Sequence, residues 1–582
     1  MQGVSTSTAG FVGLAERGPV IGQPQLVTSF ADYRRIYGGY LSEAGYGSNR
    51  FLPYAVEQFF ANGGSRAYIM RAVPGDAKAA EKTVGVLKIT AASPGAWSEN
   101  MRVTVQPSSK AKSPVFAVNG ADLTLKNSDG FNAGDVVELY DGSRTAYATI
   151  KSVLDKTVTL DAPCNLNVAD TTVGTSKYIR TCEITITARL DETVETFENL
   201  SLKPEALNYA PVRAAKSELI RVEVLSAAAP AASHAPAEKK DDKKGDKKDE
   251  GAPAPAAPAP APAAGKITPY DLCGGTGSEM VLILDGGSNG SVLTATADAF
   301  LGKDDGPGRR TGLQAFQENN NVSILLIPGV TKPEVQSALV GFCEGKKSCF
   351  AILDIPMDLQ KTNDVVNFRD MYDSTYAAIY HPWLQMFDAG AKRPAYFPPS
   401  GAMAGIYARS DTDRGVHKAP ANEVVRGCTG LSCNYNNGEQ DILNPIGVNL
   451  IRSFPGRGIR VWGARTISSN GLWKYLNVRR LFIYVEESIK ANTNWVVFEP
   501  NSETLWARVS RTISTFLATC WRDGMLAGTS PDQAFFVECG PTTMTQDDID
   551  NGRLICQIGI APVKPAEFVI FRITQKTANG EG

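Results

Sequence analysis

The residues best placed for covalent chemistry are Gly286-Gly287-Ser288-Asn289-Gly290. They match G-x-S-x-G and follow the apolar run Val281-Leu282-Ile283-Leu284, the setting in which a strand-to-helix elbow exposes a nucleophilic serine. Such a serine needs a histidine base, and the chain has three histidines. His234 lies in a low-complexity stretch, His381 precedes Pro382 and His417 sits in a basic loop, which leaves His381 and His417 as candidate bases. An α/β hydrolase using Ser288 as nucleophile is therefore the alternative to a Gly-rich turn without chemistry.

Other chemistries find less support. Cys428-x4-Cys433 and Cys343-x5-Cys349 are single pairs with no second pair or histidine at ligand spacing, so both read as structural and no metal is expected. The ten cysteines sit mostly among apolar neighbours, as buried reduced thiols do. No G-x-x-x-x-G-K-[ST] frame exists to wrap phosphates, and no cofactor is expected. Lys303-Asp304-Asp305-Gly306 lacks the spaced ligands and closing glutamate of a calcium loop and reads as a solvated turn.

Two features suit assembly better than catalysis. Glu503 to Asp523 reads as an amphipathic helix: at 100° per residue Leu505, Val509, Ile513, Phe516, Leu517 and Cys520 share one side. Arg508, Arg511 and Arg522 gather on the other with Thr515, within roughly 60°. That face suits an acidic partner surface, or it is simply solvated. Near the end of the sequence, Glu567-Phe568-Val569-Ile570-Phe571-Arg572-Ile573 reads as a strand with apolar residues on both faces. It must lie inside its own sheet or add to a neighbour's, because a bare edge of this kind aggregates.

The elements that position these residues belong to several domains, since 582 residues exceed what one core usually organises. Charged residues make up 21% and the formal net charge is -2, so no partner class follows from charge. No basic start with an apolar stretch, and no run of membrane-spanning length, is present, and folding in the cytoplasm is expected.

Ser29 and Asp32 form a capping signal ahead of Tyr33, Ile36 and Tyr37; a second helix carries Leu52, Val56, Phe59 and Phe60 and feeds the strand Ala67-Tyr68-Ile69-Met70. From Gln106 to Tyr178 short alternating runs, such as Val136 to Tyr140 and Thr157 to Leu160, read as an all-β insertion. Ala-Pro repeats and a Lys/Asp block across 226–266 cannot bury a core and read as an extended, solvated linker. Beyond it, Val281 to Leu284, Ser323 to Ile327 and Phe350 to Leu353 alternate with helices such as Thr331 to Cys343, which implies right-handed βαβ units and a parallel sheet.

Motifs spread along the chain carry a resemblance. They include Gly10-Phe11-Val12-Gly13, Phe59-Phe60-Ala61-Asn62-Gly63-Gly64, Ser93-Pro94-Gly95-Ala96-Trp97 and Asn444-Pro445-Ile446-Gly447-Val448-Asn449. Further on come Phe454-Pro455-Gly456-Arg457-Gly458-Ile459-Arg460-Val461-Trp462-Gly463-Ala464-Arg465-Thr466, Trp473-Lys474-Tyr475 and Phe498-Glu499-Pro500-Asn501. In this order they resemble the contractile tail sheath family of myophages, R-type pyocins and extracellular contractile injection systems.

The resemblance implies a structural subunit and not an enzyme: hexameric rings stacked helically around an inner tube, moving between extended and contracted states to drive the tube through a target envelope. It implies partners in other copies of the chain, the inner tube protein, and baseplate and terminal cap proteins, with no nucleic acid and no membrane insertion. It also implies that Glu567 to Ile573 pairs with a neighbouring subunit's sheet and that the Glu503 to Asp523 helix attaches sheath to tube. The family's N-terminal arm is usually longer than the stretch upstream of Gly3-Val4-Ser5-Thr6-Ser7 here, so a second sheath paralogue is a further candidate partner.

The expected division is an N-terminal arm (1–20), an α/β portion (21–105), an all-β surface insertion (106–178), a continuation of the sheath domain (179–225) and the linker (226–266). An α/β domain (267–400), a mixed α+β C-terminal sheath domain (401–562) and a C-terminal arm with its strand (563–582) complete it.

Overall fold

The computed structural model describes residues 1–99, 101–169, 177–225 and 268–567. They form two units, one made of Met1–Ala77 with the chain from Asn289 onward, the other of Lys78–Ser288.

The first unit is organised by an eight-stranded sheet in the order Gln25–Val27, Ala67–Ala72, Ala9–Leu14, Ile324–Leu326, Phe350–Asp354, Ala377–His381, Val448–Phe454, Gly458–Val461. The six inner strands are parallel, and the two outermost run antiparallel to their neighbours. Strands buried on both faces need apolar residues at every position, and the period of two divides those residues between two cores. Phe11, Ile324 and Ile352 face the helices Leu52–Ala61 and Ser400–Arg414. Val12, Leu325 and Leu353 face the helix Pro333–Lys346.

The first pair of helices crosses at small residues. A Cβ on Gly401 or Gly405 would run into the backbone of Ala55 and Phe59, so these glycines permit the close approach. Ser29 caps the helix Phe30–Tyr37 as its sequence predicts, accepting from the Asp32 amide at 3.1 Å.

The sheet takes strands from the 21–105, 267–400 and 401–562 stretches alike, and from the first twenty residues as well. Beyond it, the helices Leu476–Asn492 and Glu503–Arg522 and the hairpin Phe535–Cys539/Cys556–Ile560 enclose a core of their own around Leu481, Trp506, Ile513 and Leu517.

The second unit is built from antiparallel sheets. Seven strands between Lys112 and Thr181 form one sheet, with Val136–Tyr140 and Thr157–Leu160 bounded as their alternation indicates. Two further sheets, of four and three strands, share a core around Ile89, Val103, Ile186 and Val222.

One expectation changes here. Met280–Ile283 does not join the parallel sheet; it pairs antiparallel with Arg102–Ser108, and Val281 and Ile283 are exposed. A short apolar run does not itself distinguish a buried parallel strand from a half-exposed antiparallel edge. The low-complexity stretch lies outside the described residues, but both of its flanks belong to the second unit. Leu225 donates to the Val86 carbonyl at 2.7 Å and the Val86 amide donates to Leu272 at 3.1 Å, so the chain leaves and re-enters beside one residue.

Candidate docking surfaces

The Glu503–Arg522 helix is amphipathic in the sense its sequence predicts. Leu505, Val509, Ile513, Phe516, Leu517 and Cys520 are buried, joined by Trp506. Arg508, Arg511, Thr515 and Arg522 are all exposed. From Arg508 to Arg522 the stripe runs about 21 Å along the helix.

Arg508 and Arg511 are one turn apart, a like-charged spacing that costs a helix a few tenths of a kcal/mol, roughly. Among the described residues none of the three arginines pairs with a carboxylate. Arg508 instead lies over the Trp495 ring at 4.1 Å, and Thr515 donates back to the Arg511 carbonyl at 2.8 Å. The helix therefore presents positive charge that its own fold does not neutralise.

A second constellation gathers at the end of the described chain. Of the strand predicted from Glu567 to Ile573, Glu567 lies within the described residues, and Phe568, Val569, Ile570, Phe571, Arg572 and Ile573 lie outside them. Glu567 is held by residues of its own unit. Arg465 donates to both carboxylate oxygens, at 2.8 and 2.6 Å, Asn444 donates at 2.6 Å and the Tyr475 hydroxyl at 3.3 Å. Burial alone would push this carboxyl up, but the hydrogen bonds from Arg465 and Asn444 and the guanidinium charge outweigh it and hold the group below the usual glutamate range. The site opens on a groove of about 840 Å³, lined among others by His417, Asn437, Trp462 and Val563.

A third is a buried ion pair. Arg480 meets Asp411 at 2.6 Å with both side chains under 5% exposed, 3% and 4%. Thr6 donates to the same carboxylate at 2.6 Å and Arg480 donates to the Thr6 carbonyl at 2.9 Å, so this pair fixes the first residues of the sequence against the Leu476–Asn492 helix. Sequence patterning missed this contact and the Glu567 clamp, because their members stand far apart in the chain. Asn444, Arg465 and Tyr475 were legible as parts of the resemblance motifs, without their shared contact.

The serine motif does not form an elbow. Ser288 exchanges two backbone hydrogen bonds with Lys78 in an antiparallel bridge, at 2.9 Å each. His381 is fully buried, its ring nitrogen 3.7 Å from the Cys433 sulfur, and burial pushes its pKa down to about 3. Burial also lowers His417. Cys343 and Cys349 lie buried with sulfurs 3.5 Å apart as free thiols. Asp304 is engaged by Arg310 at 2.8 Å. Among the described residues no group of three or more His, Cys, Asp or Glu is placed to hold a metal, and no helix is long and apolar enough to cross a membrane.

Comparison with known proteins gives these surfaces their context. Residues 302–467 match the family described as phage tail sheath protein central domain, and residues 468–576 match the phage tail sheath C-terminal domain. The sheath of PVC, an extracellular contractile injection system, solved in its contracted state, is 36% identical, covering 45% of this chain and 73% of that one with a TM-score of 0.42. The chain belongs to the phage tail sheath family.

The tail sheath protein of Escherichia phage P2 is 26% identical over 298 residues, 49% of this sheath chain and 72% of its own. The sheath tail protein Lin1278 of Listeria innocua shares the fold at 10% identity, with a TM-score of 0.52 over 96% of each chain. These relatives are structural tail sheath proteins. The Glu503–Arg522 helix and the residues that clamp Glu567 fall within the two matched domains.

Proposed function

We propose that this sheath polymerises as stacked hexameric rings around an inner tube and contracts, driving the tube through a target envelope. Baseplate and terminal cap proteins bound the stack, and no nucleotide is consumed. A head-to-tail interface whose rotation does not close produces an open helical stack. Contraction then requires two packings of the same folded subunit, separated by a barrier.

In this reading Arg508, Arg511, Thr515 and Arg522 contact the tube. Phe568 to Ile573 add a strand to a neighbouring subunit, and Glu567 is the fixed point from which that strand departs. The observation that carries the reading is the arginine stripe, exposed and without carboxylate partners among the described residues, on a helix whose other side is core. The experiment is Arg508→Glu/Arg511→Glu/Arg522→Glu imaged by electron microscopy: the triple variant should leave tubes bare. Sheath that still assembles on tubes as the unaltered chain does would remove the arginines from the contact.

A further inference from the structure

Phe498 carries two penalties at once. The residue is 103% exposed, so its ring forgoes the transfer energy of a buried aromatic. Its backbone stands at φ 69°, a region that bulky side chains rarely adopt. The other non-glycine residues at positive φ among those described are Asp155, Asp191, Asn199, Lys347, Lys392 and Asn422, all polar. Strain of this kind persists where the surrounding structure imposes it, and it concentrates at binding and switch sites.

The surrounding loop is firmly built. The Val497 amide donates to the Asn494 carbonyl at 3.3 Å and the Glu499 amide to the Val496 carbonyl at 3.2 Å, which closes two successive short turns, the second of which carries Phe498. Asn501 anchors the loop's far end, donating to the Arg553 carbonyl at 3.1 Å and accepting from the Trp506 indole at 2.6 Å. Trp495 is covered by Arg508, which places the loop against the start of the arginine stripe. Val497 beside it is 62% exposed.

We infer that Phe498, with Val497, is an apolar knob that seats in a recess of the same acidic surface that the arginine stripe meets, the outer wall of the inner tube. The assignment of the partner rests on the tube-facing reading of the helix. An aromatic anchor next to arginines is the composition of an interface hot spot, and a loop already rigid loses little freedom on binding. The arginines choose an acidic surface and set its approach, and the ring fixes register along it.

Phe498→Gly tests this, because it removes the ring and relieves the backbone together. The Phe498→Gly sheath should keep or raise its thermal midpoint, polymerise without tubes as the unaltered chain does, and lose at least tenfold in co-sedimentation with polymerised tube protein. Phe498→Trp should retain binding. Binding unchanged in Phe498→Gly but lost in the triple arginine reversal would overturn the knob and leave the helix assignment standing. Binding unchanged in both would overturn the helix assignment with it. Loss of tube-free polymerisation in Phe498→Gly would assign the knob to another copy of this chain, and a lowered midpoint would make it a structural residue; either result overturns the inference.

Discussion

Arg465 grips Glu567 with two parallel hydrogen bonds, 2.8 and 2.6 Å long, across 102 residues of sequence. A bidentate guanidinium–carboxylate pair is directional as well as strong, and this one is largely shielded, with 9% and 17% of the two side chains exposed. Glu567→Gln should cost about 2 kcal/mol, read as a lower thermal midpoint and faster proteolysis near residue 567. The sign with pH follows from the depressed carboxyl. Its contribution is present above 4.5, the unperturbed glutamate value, and is lost as pH falls through the lower folded value. The difference between Glu567→Gln and the unaltered chain should accordingly vanish in strong acid.

Asp411 and Arg480 behave as a buried pair whose partners depend on each other. Asp411→Asn leaves the guanidinium uncompensated and should cost about 3 kcal/mol, whereas Asp411→Leu with Arg480→Met should cost less than the two single changes added. Denaturant melts of the four proteins measure the coupling. Additive losses would show that the pair is not one unit.

Asp354 ends a central parallel strand and caps the Ser400–Arg414 helix, accepting from the Ser400 amide at 2.9 Å, its hydroxyl at 2.7 Å and the Gly329 amide at 3.0 Å. Burial pushes its pKa up to about 6, from 3.8. Between those values the folded state holds a proton that the unfolded state has released, so this group's contribution to stability falls as pH rises through the window. Relative to Asp354→Asn, the unaltered chain should lose about 2 kcal/mol between pH 4 and pH 6. A difference flat across that range would contradict the assignment.

Ser288→Ala should leave sheath assembly unchanged and should not alter any ester hydrolysis by the purified chain, because the residue lies in an antiparallel bridge with Lys78 and not at a nucleophile elbow. A hydrolysis rate that falls with the substitution would revive the enzyme.

What was legible in the sequence had a local cause. The apolar face of Glu503–Arg522 follows from the 3.6-residue period, and Val136–Tyr140 from alternation with turn residues at its ends. Ile324–Leu326 and Phe350–Asp354 announce themselves as continuous apolar runs and do join the parallel sheet, yet Met280–Ile283 carries the same signal and lies on an antiparallel edge. Tertiary pairing decided between them. The Arg465–Glu567 clamp and the Thr6–Asp411–Arg480 contact join residues whose neighbours in sequence say nothing of the partner. Phe498 was visible as part of a motif, but its left-handed backbone and bare ring have no signature in residue type.

The central claim is that copies of this chain bind one another in an open helical stack around a tube. Electron microscopy of the purified full chain, with and without polymerised tube protein, tests it most directly. The account predicts six-fold rings stacked into cylinders, with tubes running through them when both proteins are present. A monodisperse single subunit under every condition, leaving tubes bare, would contradict it.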